Sequence, residues 1–171
     1  MRLLRSLSAC LVLLVSGGCA GYKPGPTNGL TAGEKTIQIN PFSNQTLEPR
    51  LGDAVTTALR SDLQRDGTFR LSTHGRADVV VSGVVTRYNR HELSFLPNDV
   101  LTVQDYRVSL SARVTAREVS TGKVLLDGVE VKGYALVRVG SDLPSAERQA
   151  QPLMAEDLAR NVTALLVDGS W

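Results

Sequence analysis

The sequence predicts an α+β domain, a two-layer sandwich in which two helices cover one face of a mainly antiparallel or mixed sheet of about four strands. Two amphipathic segments repeat apolar residues at helical spacing. Between them, residues 106–117 alternate strictly between apolar and polar, which indicates a strand with one buried and one hydrated face. A doubly wound parallel sheet would instead need near-continuous apolar strands.

The first eighteen residues have the form of a secretory signal. Arg2 and Arg5 give a basic start, residues 7–15 form a short apolar run, and the small residues 16–18 lead into Cys19. The run is shorter than the roughly 20 residues that a membrane-spanning helix needs. The cysteine makes this segment resemble a bacterial lipoprotein signal, which implies cleavage before Cys19 and acylation of that residue as a lipid anchor.

Two other interpretations of this segment stay open. Leu7-Ser8-Ala9-Cys10 fits the local lipoprotein pattern, but cleavage there would leave almost no apolar segment before Cys10. An ordinary signal peptide also ends in small residues, and Cys19 would then be incidental. We favour the anchor at Cys19. The residue after it is Ala20 and not the Asp that favours inner-membrane retention, so the resemblance implies the outer membrane.

Removal of residues 1–18 would leave a chain long enough for one domain with its own core. The cleavage removes Arg2 and Arg5, so that 17 basic residues face 17 acidic ones and the net charge is about zero. A neutral chain gives no reason to expect nucleic-acid binding. With Cys10 removed and Cys19 acylated, no intramolecular disulfide can form, and the domain must depend on its core.

The first half of the mature chain is predicted to be a tether, a strand and a helix. Residues 19–33 are rich in glycine and proline and form the flexible tether. Residues 34–171 form the single domain, which opens with a strand over residues 35–42. A helix follows over residues 46–65, with Thr46 as its N-cap. Its predicted buried stripe is Leu47, Leu51, Val55, Leu59 and Leu63.

The second half is predicted to contain two strands, a long hairpin and a final helix. In chain order these elements cover residues 69–73, 77–88, 104–119, 124–139 and 142–167. The final helix repeats Ala146, Ala150, Met154, Leu158, Val162 and Leu166, and Leu153 and Leu165 are expected to widen this apolar stripe. The helices would cover one face of the sheet and leave the other to water or to a partner.

No catalytic constellation is visible in the sequence. The two histidines, His74 and His91, have no second His or Cys at metal-ligand spacing. No phosphate-binding loop, dinucleotide fingerprint or nucleophile elbow occurs. We therefore expect a protein that is not an enzyme and that holds no metal and no cofactor.

The hydrated face of the sheet is a candidate binding surface. Basic side chains beside exposed Tyr134 and Leu136 suit an amphiphile that carries phosphate groups. The alternative is an ordinary solvated face that Asp105, Glu118 and Glu130 neutralise. The candidate basic residues on and near this face are Arg87, Arg90, Arg107, Arg113, Lys132 and Arg138.

A second candidate lies in residues 90–103, which are predicted to be a long loop between two strands. Phe95 and Leu96, followed by Pro97, give this loop an apolar tip. Exposed apolar residues on a long loop are typical of a contact site for a partner. The alternative is that both side chains fold back onto the core.

Motifs along essentially the whole mature chain resemble the LptE family of lipopolysaccharide-assembly lipoproteins. The Tyr106 strand and the C-terminal helix also fit that family. The motifs are Cys19-Ala20-Gly21-Tyr22, Asn40-Pro41-Phe42-Ser43-Asn44-Gln45-Thr46, Asp66-Gly67-Thr68-Phe69-Arg70-Leu71, Ala77-Asp78 before the strand with Gly83, and Thr121-Gly122-Lys123-Val124-Leu125.

The resemblance implies a lipid-anchored outer-membrane protein that faces the periplasm and a barrel lumen. Its expected role is to assist lipopolysaccharide assembly as partner and plug of the LptD-type β-barrel translocon, without enzymatic activity. It also implies lipopolysaccharide binding through basic residues. A polar, near-neutral surface suits a polar lumen. The alternative is an auxiliary lipoprotein of another envelope lipid-transport or cell-wall-synthase complex.

Overall fold

The computed structural model describes residues 31–139 and 142–169. The proposed signal segment, Cys19 and most of the predicted tether lie outside the described residues. In chain order the elements are β1 (Thr36–Ile39), β2 (Ser43–Asn44), α1 (Leu51–Asp66), β3 (Arg70–Leu71), β4 (Val79–Leu96), β5 (Asp99–Glu118), β6 (Val124–Arg138) and α2 (Leu143–Val167).

The predicted fold class is confirmed, with six strands in place of about four. The strands lie in the order β3-β1-β4-β5-β6, and β2 pairs with β4 beyond the end of β1. β1 is parallel to β3 and β4, and β2 is parallel to β4. The β4–β5 and β5–β6 pairs are antiparallel. The sheet is therefore mixed, because the α1 crossover returns the chain parallel to β1.

Both helices pack on one face of the sheet, and the core lies between the two layers. α2 packs against β5, β6 and α1. The alternation predicted for β5 is confirmed, since its inward side chains are buried. They are Val108, Leu110, Ala112, Val114 and Ala116. The opposite face of β5 carries arginines and serines, as a strand covered on one side requires.

Helix α1 begins five residues later than predicted. Asn44 organises a turn in which its Oδ1 accepts the Thr46 N–H at 3.0 Å and its Nδ2 donates to the Glu48 carbonyl at 2.7 Å. Pro49 also disfavours a helical conformation at the residue before it. The helix therefore starts at Leu51, and Leu47, which was predicted to be buried, is exposed.

Helix α2 follows its predicted range, but two of its leucines do not join the core. The main stripe is buried from Ala150 through Leu166, as expected. Leu153 and Leu165 were expected to widen it, yet both are exposed. They lie on flanks of the helix that neither α1 nor the sheet covers.

The predicted loop over residues 90–103 is instead the end of a β-hairpin. β4 continues to Leu96, a short turn follows, and β5 starts at Asp99. Pro97 and Asn98 supply the turn, because proline fixes φ and asparagine tolerates turn conformations. The two strands form a ribbon from Asn89 to Val103, and most of its residues are exposed.

Two glycines allow close approach between elements. A Cβ on Gly83 of β4 would overlap the ring of Phe42, which lies directly on this residue. A Cβ on Gly133 of β6 would overlap the backbone of α2 at Met154 and Leu158. α2 can therefore lie directly against β6.

Candidate binding surfaces

The hydrated face of the sheet brings most of the candidate basic residues together. Cross-strand neighbours place Arg87 beside Ser111, and Ser111 beside Lys132. Arg113 lies between Val84 and Glu130, and Arg107 lies between His91 and Leu136. Arg138 lies opposite Asp105. Five basic residues thus share a surface with two carboxylates, Glu130 and Asp105, and we call this surface the basic face.

Three of these five side chains are partly neutralised. Arg87 Nη2 lies 3.2 Å from Glu130 Oε1, and Lys132 Nζ lies 3.9 Å from the same atom. Arg138 Nε donates to Asp105 Oδ1 at 2.9 Å. That hydrogen bond, with a second from Ser94, holds the pKa of the Asp105 carboxyl below its usual range. Exposed pairs of this kind contribute little to stability, so they leave these cations available to an anion.

Arg107 and Arg113 are the free charges of the basic face. Both side chains are exposed, and neither forms an ion pair with any described residue. Tyr134 and Leu136 lie on the same face and are exposed. This combination of unpaired guanidinium groups and apolar side chains fits a ligand with both phosphate and hydrocarbon parts.

Arg90 lies on the opposite, helix-covered side of the sheet. Its cross-strand neighbour is the buried residue Val108 of β5, and its Nη2 donates to Glu147 Oε2 at 2.9 Å. Its guanidinium carbon also lies 5.7 Å from the centre of the Tyr88 ring. The hydrogen bond to Glu147 raises the pKa of Arg90. The structure thus does not bring Arg90 together with the basic face.

The tip of the ribbon exposes the two predicted apolar residues. Phe95 is 43% exposed and Leu96 is 38% exposed, so neither folds back onto the core. Leu93 and Leu101 are also exposed there, although neither was among the predicted contact residues. The sequence could have indicated them, because apolar residues occur on both sides of the Pro97-Asn98 turn and a hairpin places such residues next to each other.

The described residues contain neither a metal-binding cluster nor a membrane-spanning helix. Within residues 31–139 and 142–169, no group of three or more His, Cys, Asp or Glu side chains is arranged to hold a metal ion. In the same part of the chain, neither helix has the length and apolar character needed to cross a bilayer.

Several solved structures share this fold at low sequence identity. Protein XCC0632 from Xanthomonas campestris matches with a TM-score of 0.56 and 10% identity, over 84% of this chain and 89% of that one. Protein CT253 from Chlamydia trachomatis matches with a TM-score of 0.55 and 12% identity, over 80% and 96%. A putative lipoprotein from Caulobacter crescentus matches with a TM-score of 0.52 and 13% identity, over 77% and 87%.

The sequence itself places the chain in a family. A comparison with curated proteins gives no match. A family model described as LptE, lipopolysaccharide-assembly, matches residues 34–166. This match spans nearly the whole described domain, including the basic face and the ribbon. The chain therefore belongs to the LptE family of lipopolysaccharide-assembly proteins.

Proposed function

We propose that the protein is an outer-membrane lipoprotein, anchored through Cys19, that serves as partner and plug of an LptD-type β-barrel in lipopolysaccharide assembly. Family membership supports the assembly role. The surface properties of the domain support the partnership. Apart from the ribbon tip, the group Tyr134, Leu136 and Leu153 near the β6 edge, and a few single residues, the apolar side chains of the described residues lie between helices and sheet, and the opposite sheet face is mainly polar. A polar domain of this kind suits the polar interior of a large barrel.

The basic face is the proposed contact for lipopolysaccharide. The observation that carries this proposal is the position of Arg107 and Arg113, two exposed cations on one face that form no ion pair with a described residue, with Tyr134 and Leu136 alongside. Guanidinium groups bind phosphate through paired hydrogen bonds. The neighbouring Tyr and Leu would contact the adjoining hydrocarbon part of the same molecule.

The ribbon tip is the proposed contact for the barrel. Exposed apolar clusters on a projecting element mark protein contacts more often than solvent surface. Phe95 and Leu96 are held on paired strands, so their positions are fixed before a partner arrives. Such preorganisation reduces the entropy lost on binding.

The test of the partnership is a detergent pull-down of the full-length tagged lipoprotein from its own outer membrane, followed by mass identification. We expect a large β-barrel in near-equal amount. Substitution of both tip residues, Phe95→Ser with Leu96→Ser, should reduce its recovery. Leu47→Ser is the matched control, because Leu47 is fully exposed away from the tip. Recovery of an inner-membrane transporter or cell-wall synthase with no barrel would instead favour the alternative complex.

A further inference from the structure

Strand β6 forms one edge of the sheet, and its backbone groups alternate in direction. The Val139 N–H donates to the Gln104 carbonyl of β5 at 2.8 Å. The backbone N–H and C=O groups of odd-numbered residues here therefore point toward β5. Even-numbered residues, among them Lys132, Tyr134 and Leu136, therefore direct their N–H and C=O groups away from the sheet. An exposed edge of this kind is a template for another strand unless it is covered.

Helix α2 covers the middle of this edge, at Lys132 and Tyr134, with two side chains. Asn161 Nδ2 donates to the Lys132 carbonyl at 2.8 Å. Asp157 Oδ2 accepts the Tyr134 N–H at 3.0 Å. Gly133 makes both contacts possible, since a Cβ at that position would overlap the α2 backbone. The helix thus supplies polar side chains in place of a seventh strand.

Among the described residues, no polar side chain of α2 covers the next outward-facing residue of β6, Leu136. Four residues of helix advance about 6 Å, close to the roughly 6.6 Å of two strand residues. By this spacing the series Asn161, Asp157 continues to Leu153, which is therefore the helix residue that corresponds to Leu136 of the strand. A leucine side chain has no hydrogen-bonding group, so it cannot cover the edge. The Leu136 N–H and C=O and the Arg138 N–H have no hydrogen bond to another described residue.

The uncovered stretch is bordered by apolar side chains. Leu136 is 70% exposed and Leu153 is 54% exposed, and Tyr134 lies beside them. Across β5, Arg107 is the neighbour of Leu136 and forms no ion pair with any described residue. The edge thus offers backbone donors and acceptors, two leucine side chains and one free positive charge within a few residues.

We propose that the β6 edge from Tyr134 to Arg138 binds an extended segment of a partner polypeptide by strand addition. The segment alternates apolar and acidic residues. Its backbone pairs with Leu136 and Arg138. Its apolar side chains lie on the helix-covered side of the sheet against Leu153, and its acidic side chains lie on the opposite side, next to Leu136, where one reaches Arg107. Main-chain hydrogen bonds supply the affinity of such complexes, and side-chain contacts supply the specificity.

The test uses a defined probe, a seven-residue peptide of alternating glutamate and valine with blocked ends, added to the full-length protein. The measurement is amide hydrogen exchange at single residues. Bound peptide should slow exchange at Leu136 and Arg138 by about tenfold or more, while Tyr134, already bonded to Asp157, changes little. The control is the same peptide with alternate backbone nitrogens methylated. Equal binding of both peptides, or no protection at millimolar peptide, overturns the proposal.

Variants of the edge sharpen the test. Leu153→Asn continues the series of polar side chains and should close the edge and abolish peptide protection, whereas Leu153→Ala should only weaken it. Leu136→Pro removes the outward N–H, which edge positions tolerate, and Leu136→Ala keeps it. Unchanged peptide binding in Leu153→Asn overturns the proposal even if the proline variant fails to fold.

A second copy of the chain is a competing occupant of the edge, and the same measurement detects it. Concentration-dependent protection of Leu136 and Arg138 without peptide, together with dimers in sedimentation, would mean that the chain pairs with itself and would overturn the proposed partner. Strand addition at β6 does not depend on the barrel partnership. A pull-down that recovers no barrel contradicts the proposed function but leaves the peptide result standing.

Discussion

Arg90 of β4 and Glu147 of α2 form a two-armed ion pair between the sheet and the second helix. Arg90 Nη2 donates to Oε2 at 2.9 Å, and Arg90 Nε pairs with Oε1. Glu147 is buried, whereas Arg90 is about half exposed. The positive charge of Arg90 therefore allows the Glu147 carboxylate to stay buried between α2 and the sheet. Its position indicates a structural role.

Removal of this arginine should destabilise the domain. Arg90→Met keeps much of the apolar stem but leaves the Glu147 carboxylate buried without its partner. We expect a loss of about 1–3 kcal/mol in the free energy of unfolding, the usual penalty for an unsatisfied buried group. Urea unfolding measures it. The double variant with Glu147→Gln should recover part of the loss, and a double variant as unstable as Arg90→Met would contradict this account.

Gly83→Ala should also destabilise the fold, through steric overlap with Phe42. The added methyl group would lie inside the ring position, so the ring or the strand must move. Overpacking of this kind costs about 1–3 kcal/mol. Thermal unfolding gives the change, with Ser82→Ala on the exposed side of the same strand as the control. Phe42→Leu in the Gly83→Ala background should relieve the overlap and raise the melting temperature again.

Acid should weaken the contact between β1 and β4 at Asp78. The Thr36 backbone N–H and its hydroxyl both donate to Asp78 Oδ2 at 2.7 Å, and they hold the pKa of this carboxyl below its usual range. A depressed pKa in the folded state stabilises the protein above the ordinary pKa, near 4. The contribution is lost as pH falls through the lower, folded value.

Asp78→Asn should therefore flatten the pH dependence of stability below about pH 4. The measurement is the free energy of unfolding from pH 7 down to pH 2.5 for both proteins. Asp99, Asp105 and Glu118 also have lowered pKa values, so the wild-type decline should be reduced and not abolished. Parallel curves for the two proteins would show that Asp78 is not linked to folding.

Cys19→Ala should release the protein from the membrane fraction. Without an acylated cysteine, the remaining attachment would depend on protein contacts alone. Cell fractionation with detection of the protein measures the shift to the soluble fraction. Cys10→Ala is the control and should leave the protein bound. The reverse pattern would support cleavage at Cys10, and membrane attachment in both variants would contradict lipid anchoring.

Charge reversal on the basic face should weaken lipopolysaccharide binding. Arg107→Glu with Arg113→Glu replaces two exposed cations by carboxylates, so repulsion of phosphate is added to the lost attraction. We expect affinity to fall by about tenfold or more, which corresponds to about 1.4 kcal/mol. Arg76→Glu with Arg148→Glu makes the same charge change away from this face. An equal loss in both double variants would indicate a general charge effect and not a site.

The sequence predicts the parts of this fold where one periodicity persists. Residues 106–117 of β5 alternate without interruption, so their buried and exposed sides follow directly from the order of residues. Helix α1 shows the limit of periodicity. Leu47 fits the four-residue repeat, yet the Asn44 turn and Pro49 delay the helix to Leu51. Local turn chemistry outweighed the pattern there.

A single inserted residue explains why Arg90 could not be assigned to a face from sequence. The register between β4 and β5 shifts between Val85 and Arg87. Before this bulge the odd-numbered residues Val81 and Val85 face the helices, and after it Tyr88 and Arg90 do. A bulge exchanges the two faces for the residues that follow it, here as far as the next register shift, between Glu92 and Ser94. The alternation of apolar and polar residues in the sequence does not indicate where this bulge lies.

The parallel pairing of β1 with β4 has a consequence for the order of folding. Thr36 and Asp78 are 42 positions apart, whereas β4, β5 and β6 join through short turns. Contacts that close short loops form earlier than contacts that close long ones. The three-stranded meander should therefore nucleate folding, and β1 should dock late. Substitutions at Asp78 should then accelerate unfolding with little effect on the refolding rate, while substitutions in the β4–β5 hairpin should slow refolding.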